Sequence, residues 1–523
     1  MDNNKTEGLP QQTSPENQLV VINQQHKDIK ISDIQINNSE NYQNFSYSEV
    51  EEDTPLPEIL SLKQILNTLL TDVEPVDFQR TIYPNPFEKM KPVTERQKYV
   101  VVIEELLLLA NERQWGICKN GAFVYVYNGA YWCSLDKEVL KKFLGIAAYR
   151  MGILLHNAMQ FMVKEHLFKQ FMDTGFRLAP ERNNEILINL KNGTLEIDKT
   201  GRITLQPFNK EDFLKYMLPF EYNPTAQCRM FLNYLERCVP DITAQNVLAE
   251  YIGYIFIRWL KLEKVLILYG GGANGKSVFY DIICALLGRE NISTYSMGNL
   301  CNPTGYYRAM IANKLLNYSS EIGSTKKYST DLFKQLCSGE QIEARLPYGD
   351  PFLIDDYARF MFNANTLPKE IEHTDAFFRR FLIIPFNVTI PEAERDYELA
   401  QKIIKNELSG VFNWVMAGLD RVVKQKGFTR CIASEKAVAT YRLESDSVAM
   451  FLDENGYIPS QNNHMKLKDL YTHFKTYCEE NNYRVLSNKE FAKRLRSKDF
   501  DIKKIRGGND IYIETLIEEE LTE

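Results

Sequence analysis

The sequence predicts an α/β protein: a mostly parallel sheet covered by helices, with an α+β region before it and a small basic unit after it. Three observations carry this. First, an apolar run of strand length, KVLILY (Lys264 to Tyr269), leads into the glycine-rich stretch GGGANGKS and then into SVFYDIICALLG, whose apolar residues recur at helical spacing up to Gly288. Second, four more strand candidates follow with helical text between them: NISTYSM, KLLNYSSE (314–321), ARFMFNAN (358–365) and FLIIPF (381–386). That alternation implies parallel strands joined by helical crossovers. Third, from about Arg96 to residue 225, helical patterns are mixed with short strands joined by Asn–Gly turns, the text of an α+β domain.

Composition sets the bounds. At 523 residues the chain is long enough for three or four domains, and 44% hydrophobic with 25% charged residues is the balance of an ordinary globular protein. The longest apolar candidate, YIGYIFIRWLKLEKVLILY, is interrupted by Arg258, Lys261, Glu263 and Lys264, so no membrane span is expected. The N-terminus lacks a secretory pattern, and nine cysteines without a C-x-x-C pair indicate neither a zinc module nor a disulfide framework. A reducing, cytoplasmic setting is expected. The net charge of −7 conceals an asymmetry: residues 1–60 hold 3 Lys/Arg against 11 Asp/Glu, which leaves the rest near +1. The acidic balance therefore does not argue against a nucleic-acid partner.

In chain order, residues 1–60 are rich in Asn and Gln and end in Glu49, Glu51, Glu52 and Asp53, which predicts a disordered acidic tail. Residues 61–95 form a linker, with a short amphipathic helix from Leu60 to about Asp77 and then YPNPFEKMKPV. The α+β region (96–225) starts with the helix RQKYVVVIEELLLLANER. Two strands around Asn128–Gly129 and two helical patterns to about Gly175 come next, then two or three strands turned at Asn192–Gly193 and Thr200–Gly201. Residues 226–260 are helical, 261–390 hold the parallel sheet, and 391–445 are helical again, with a stripe through Leu408, Phe412, Val415, Leu419 and Val422. Residues 446–523 form a separate small unit with helices at KLKDLYTHFKTYCEEN and NKEFAKRLRSK and a closing strand, DIYIETL.

GGGANGKS fits G-x-x-x-x-G-K-[ST], with Gly270, Gly275, Lys276 and Ser277 at the fixed positions. Glycines let the backbone turn tightly, so N–H groups along Gly270, Gly271, Gly272, Ala273, Asn274, Gly275, Lys276, Ser277 and Val278 converge with a helix N-terminus on one anion. Lys276 then reaches the β- and γ-phosphates and the Ser277 hydroxyl ligates Mg²⁺, so a nucleoside triphosphate is expected. KLLNYSSE delivers Glu321 at a C-terminal strand end, where open α/β sheets place ligands. There Glu321 could activate the attacking water with Ser320 on a metal-bound water; the alternative is a surface carboxylate. ARFMFNAN ends in Asn365, whose carboxamide suits the γ-phosphate or the lytic water, or simply starts a turn before Pro368. Arg379 and Arg380 precede the fifth strand; a guanidinium there stabilises transition-state charge if it meets a γ-phosphate, and otherwise is a surface arginine.

Two further stretches suggest nucleic acid. Ile342 to Leu346 and Phe352 to Ile354 read as a hairpin around Pro–Tyr–Gly–Asp, with Arg345 and Tyr348 offering charge and stacking to a single strand. Residues 461–510 hold 12 Lys/Arg and 7 Asp/Glu, with Lys489, Lys493, Arg494, Arg496 and Lys498 clustered on one helix, either a nucleic-acid face or a solvated one. Asp499 and Asp501 stand in this basic unit without a third carboxylate and are not read as a polymerase metal site.

Together these residues resemble the superfamily 3 helicases, in particular the helicase half of the phage/plasmid and poxvirus-type primase–helicases, over about residues 100–500. INLKNGTLEI, LYGGGANGKSVF, NKLLNYSSEI, FKQLCSGEQIEAR, FNANTLP, FFRRFLIIPF and ELSGVFNWVMAGL occur in that family's order. The resemblance implies an AAA+ core with sheet order 5-1-4-3-2, a helical collar at 226–260, a helical lid at 391–445 and a winged helix at 446–523. It also implies a homohexameric ring with ATP between subunits, moving 3′ to 5′ on single-stranded or forked DNA. It makes Lys276 and Ser277 the phosphate and Mg²⁺ contacts, Glu321 the catalytic carboxylate and second metal contact, and Asn365 the polar sensor. Arg380 becomes the favoured trans-acting arginine with Arg379 the alternate, and Lys334 and Arg345 contact DNA, joined by Lys493 and Arg494 in the winged helix. Two departures stand out. Residues 1–95 are too short and polar for a primase domain, so priming is expected from a separate primase or polymerase, and Pro347 and Asp350 stand at the hairpin tip where many relatives are basic. A monomeric phosphate-loop phosphotransferase, or an origin-binding loader that does not unwind, would share the phosphate loop.

Overall fold

The computed structural model describes residues 59–516 except 86, 88, 114, 181–184, 199–200, 321, 323–328, 348, 369–372, 482 and 507. The tail at 1–58, Glu321 and Tyr348 lie outside the described residues.

The first region opens with helix α1 (Leu62–Asp72), started by a capping box in which Ser61 and Gln64 satisfy each other's backbone donors. Helix α2 (Glu95–Glu112) begins in the same way at Thr94 and Gln97. An antiparallel sheet follows, β1 (Ile117–Asn120), β2 (Phe123–Tyr127) and β3 (Trp132–Leu135), then α3 (Lys137–Arg150) and α4 (Phe161–Thr174). These helices pack on the sheet through Ile103, Leu106, Val126, Leu144, Leu167 and Phe171. A second antiparallel sheet, β4 (Ile186–Leu190), β5 (Gly193–Ile197) and β6 (Ile203–Gln206), accounts for the strands expected around Asn192–Gly193. Strand β1 lacks an alternating signal and is not among the expected elements.

Helices α5 (Arg229–Cys238) and α6 (Ile242–Tyr254) lead into the central sheet. Its strands are β7 (Val265–Tyr269), β8 (Ile292–Ser293) and β9 (Leu316–Ser319); after the hairpin β10 (Ile342–Arg345) and β11 (Pro351–Ile354) come β12 (Arg359–Ala364) and β13 (Phe381–Pro385). Along the sheet they run β13-β7-β12-β9-β8, every pairing parallel. Counted in chain order within this region, that is fifth, first, fourth, third, second. Helices cover both faces, so Val265, Leu266, Ile267 and Leu268 are all fully buried, and the strand reads as an unbroken apolar run.

Helix α7 (Lys276–Leu287) follows β7, and α8 (Thr330–Ser338) precedes the hairpin. Helix α9 (Leu408–Gln425) lies directly on α6: a Cβ on Gly418 would come 2.3 Å from the Ala249 carbonyl carbon, and one on Gly253 would come 2.6 Å from the Leu419 nitrogen. Between them Glu250, wholly buried, accepts from Arg421 Nε at 2.9 Å and from the Thr429 N–H at 2.7 Å. Helix α10 (Ile432–Glu444) then packs on β13 through Tyr441.

The last unit runs α11 (Ser447–Glu454), β14 (Tyr457–Lys466), α12 (Leu467–Glu480), α13 (Asn488–Arg496), β15 (Ile502–Ile505) and β16 (Gly508–Thr515), with sheet order β14-β16-β15. Its own core gathers Phe451, Leu470, Phe474, Phe491, Leu495 and Ile511. Among the described residues no helix is long and apolar enough to cross a membrane.

Candidate active site

The phosphate loop leaves the C-terminal end of β7 and enters α7, whose N-terminus carries no side-chain cap. Its first backbone donors are therefore left for an external acceptor. Gly275 sits at φ 90°, and a Cβ there would come 2.6 Å from Cys238 Sγ and 3.0 Å from the Tyr234 ring. Only glycine suits both the conformation and the space. The Tyr234 hydroxyl donates to the Gly275 carbonyl at 2.8 Å, tying α5 to the loop. Asn274 is buried and donates to the Gly271 carbonyl at 2.7 Å and to that of Phe386 at 2.9 Å; the Ile390 N–H donates to the Ala273 carbonyl at 2.8 Å. The chain beyond β13 thus fixes one side of the loop. Above it, Gly271 and Gly272 have no atom within 4 Å of an added Cβ, so the cradle is open.

Lys276 is 7% exposed, and its Nζ donates to the carbonyls of Gly270 and Gly271, each at 2.7 Å, and to Asn274 Oδ1 at 3.1 Å. Burial lowers its pKa below the ordinary lysine value. The ammonium is stored on loop carbonyls at the place where phosphate oxygens would replace them. Ser277, next in α7, is exposed. Among the described residues no group of three or more His, Cys, Asp or Glu could hold a metal ion. An ion here would take its ligands from Ser277 and the phosphates, which the open cradle and the exposed hydroxyl accommodate.

The sheet brings Asn365 to this place. β12 pairs with β7 so that Ala364 lies opposite Tyr269, and the Gly270 N–H donates to the Ala364 carbonyl at 3.1 Å. Asn365, exposed, is therefore next to the first loop residue. On the other side of β12, Ser319 lies opposite Phe362, and a buried hydrogen bond from the Tyr318 hydroxyl to Asn363 Oδ1 at 2.9 Å locks β9 to β12.

Arg379 and Arg380 stand at the opposite end of the sheet. They precede β13, whose Phe381 pairs with Val265 at the start of β7. Five paired residues at about 3.3 Å each separate them from their own phosphate loop, a longer span than an arginine side chain. The two differ in freedom. The Arg380 side chain is 7% exposed and lies 3.0 Å from Glu263 Oε2, with further contacts to Ser338 Oγ and the Ala376 carbonyl. That of Arg379 is 64% exposed, its one carboxylate contact among the described residues being Glu263 at 3.4 Å.

Of the residues expected at nucleic acid, Arg345 is exposed on the hairpin, its Nε donating to the Gly349 carbonyl at 2.9 Å. The hairpin base is anchored by Arg308, buried, which donates to the carbonyls of Glu343, Leu300 and Asn302. Phe352 on its second strand meets Phe123 of β2 edge-on at 5.7 Å. Lys334 lies on α8, within reach of Asp331. Lys493 is exposed on α13, but Arg494 turns inward to Asp446 at 3.0 Å, beside Lys498, also at 3.0 Å. The exposed cations of α13 are Lys489, Lys493 and Arg496, spaced along one face. Tyr234, Glu263 and Arg308 carry no motif; they support the site from elsewhere in the chain, where sequence spacing gives no signal.

Three family models match the chain: one described as D5 N terminal like over residues 104–240, a family of unknown function (DUF5906) over 268–380, and one described as Poxvirus D5 protein-like over 443–514. The 121R protein of Invertebrate iridescent virus 3, named for a helicase, is 22% identical over 60% of this chain and 37% of its own length. The C962R protein of African swine fever virus (strain Badajoz 1971 Vero-adapted), named for a primase, is 22% identical over 38% of this chain and 20% of its own. The chain thus spans well under half of either relative. The apo structure of the NrS-1 C-terminal region is 15% identical, with 80% of this chain and 99% of that chain covered and a TM-score of 0.41. The resemblance to the primase–helicases is thus carried by family models on both sides of the central sheet and by relatives of both names.

Proposed function

We propose that the chain is an ATP-dependent replicative DNA helicase of superfamily 3, working as a homohexameric ring that moves 3′ to 5′ for a viral, phage, plasmid or integrated element. One observation carries the reading: the phosphate loop and the arginine pair occupy opposite ends of one parallel sheet. Neither arginine can serve its own loop, so a complete pocket needs a second subunit. The strand order fifth-first-fourth-third-second supports an AAA+ core. The order helix, strand, helix, helix, strand, strand supports a winged helix in the last unit.

ATP would draw Lys276 from the carbonyls of Gly270 and Gly271 onto its β- and γ-phosphates, while the uncapped N–H groups of α7 receive the rest of the charge. Ser277 and Glu321 would hold a Mg²⁺, which would supply positive charge against the charge that develops on transfer. Glu321 orients the lytic water, and Asn365, beside Gly270, reads the γ-phosphate. Arg379 of the adjacent subunit, the exposed member of the pair, completes the site. Arg345 and Tyr348 on the hairpin engage the single strand with Lys334, and the exposed face containing Lys493 engages DNA at the periphery. A separate primase or polymerase supplies primers, and the setting is cytoplasmic.

Strand displacement on forked DNA tests this. The wild-type chain releases the labelled strand in the presence of ATP, and Lys276→Ala abolishes both ATPase and release. DNA-stimulated hydrolysis without strand release would mean a loader. Hydrolysis or small-molecule phosphorylation indifferent to DNA would sink the reading altogether.

A further inference from the structure

Glu263 stands at the head of β7, at the end of the sheet away from the phosphate loop, with a left-handed backbone (φ 54°) that residues other than glycine adopt at a cost. Its Oε2 serves two guanidiniums at once, 3.0 Å from Arg380 and 3.4 Å from Arg379. The next residue, Lys264, donates from Nζ to the main-chain carbonyl of Arg379. Consecutive residues thus hold the arginine turn by side chain and by main chain. Arg380 is fixed from behind by Ser338 and Ala376, while Arg379 points out, with no carboxylate contact beyond Glu263 among the described residues. A contact to so exposed a guanidinium adds little stability. Its effect is to narrow the directions that the guanidinium takes.

We propose that Glu263 is the positioning residue for Arg379: anchored on the buried Arg380, it presents the exposed guanidinium to the nucleotide of the adjacent subunit. This rests on the reading of Arg379 as the trans-acting arginine. A charge held in place before the reaction costs no reorganisation when the transition state forms, and an ångström of misplacement lowers the rate steeply.

Glu263→Asn removes the carboxylate while tolerating the left-handed backbone, and Glu263→Gln keeps an acceptor of the same reach. In the full chain with DNA, Glu263→Asn is expected to lower kcat roughly 10–100-fold at unchanged KM for ATP, and Glu263→Gln to recover part of that loss. Equal amounts of Glu263→Asn and Lys276→Ala should exceed the sum of their separate rates, because an intact loop meets an intact arginine at some interfaces. The control pair is Arg379→Ala with Lys276→Ala. If the control recovers and the Glu263 mixture does not, or if Glu263→Asn turns over at the wild-type rate, Glu263 has no positioning role although the trans arginine stands. If the control itself does not recover, the trans reading falls and Glu263 with it. Should Glu263→Asn not fold, Glu263→Gln carries the test: a severalfold fall in kcat at unchanged KM supports the role, and a wild-type kcat overturns it.

Discussion

At Arg380, Glu263, Ser338 and the Ala376 carbonyl close around one buried guanidinium, while Arg379 beside it faces out. Truncating Arg380 leaves the buried Ser338 hydroxyl and the Ala376 carbonyl without this donor, so Arg380→Ala should cost about 1–3 kcal/mol of stability, read by chemical denaturation. Arg379→Ala should leave stability nearly unchanged and reduce ATP turnover by about 10³-fold or more at unchanged nucleotide binding. Equal stability losses in the two variants would mean that the burial difference has no consequence. The sequence FFRR names both arginines without ranking them; the resemblance favours Arg380, and burial moves our choice to Arg379. Lys276 and Ser277 were legible because their motif binds them to a local turn. Tyr234, some 40 residues upstream of the loop, was not, because its contact with Gly275 exists only after α5 folds back.

Among the elements, the phosphate loop and the last unit give the sharpest tests. Gly275→Ala adds a methyl against Cys238 Sγ and forces alanine to φ 90°. It should weaken binding of an ATP analogue about tenfold or more, measured by titration calorimetry. In the last unit, Asp446 joins α11 to α13: it caps α11 at the Val448 N–H and faces Arg494 and Lys498. Burial raises its carboxyl pKa, but Lys498 and then Arg494 more than reverse that, leaving it below the ordinary aspartate value. A depressed folded pKa means stability present above the unfolded value and lost as pH falls through the folded one. Asp446→Asn should therefore cost about 1.5–3 kcal/mol at pH 7, with the gap to wild type closing below about pH 4. A gap independent of pH would refute the charge pairing. Strands β7, β12 and β13 of the central sheet were legible as largely apolar runs because both faces are buried. β14 was not: YIPSQNNHMK is polar, largely exposed and shifted in register between Pro459 and His464, so it shows no period of two.

Across the whole molecule, β13 and β7 set the distance between the loop and Arg379, and α6 and α9 pack backbone against backbone at Gly253 and Gly418. Sequence order alone implied a parallel sheet, since alternating strands and helices have few other solutions. It also put the loop and Asn365 after their strands and the arginine pair before theirs; it did not reveal the pairing register that sets the span between them. On the proposed function, a site divided in this way works only in an assembly. The most direct test follows ATP turnover per subunit together with particle mass through a dilution series containing forked DNA. If the pocket is shared, turnover per subunit falls as the assembly dissociates; a solitary chain that hydrolyses ATP at a constant rate at every concentration would contradict it.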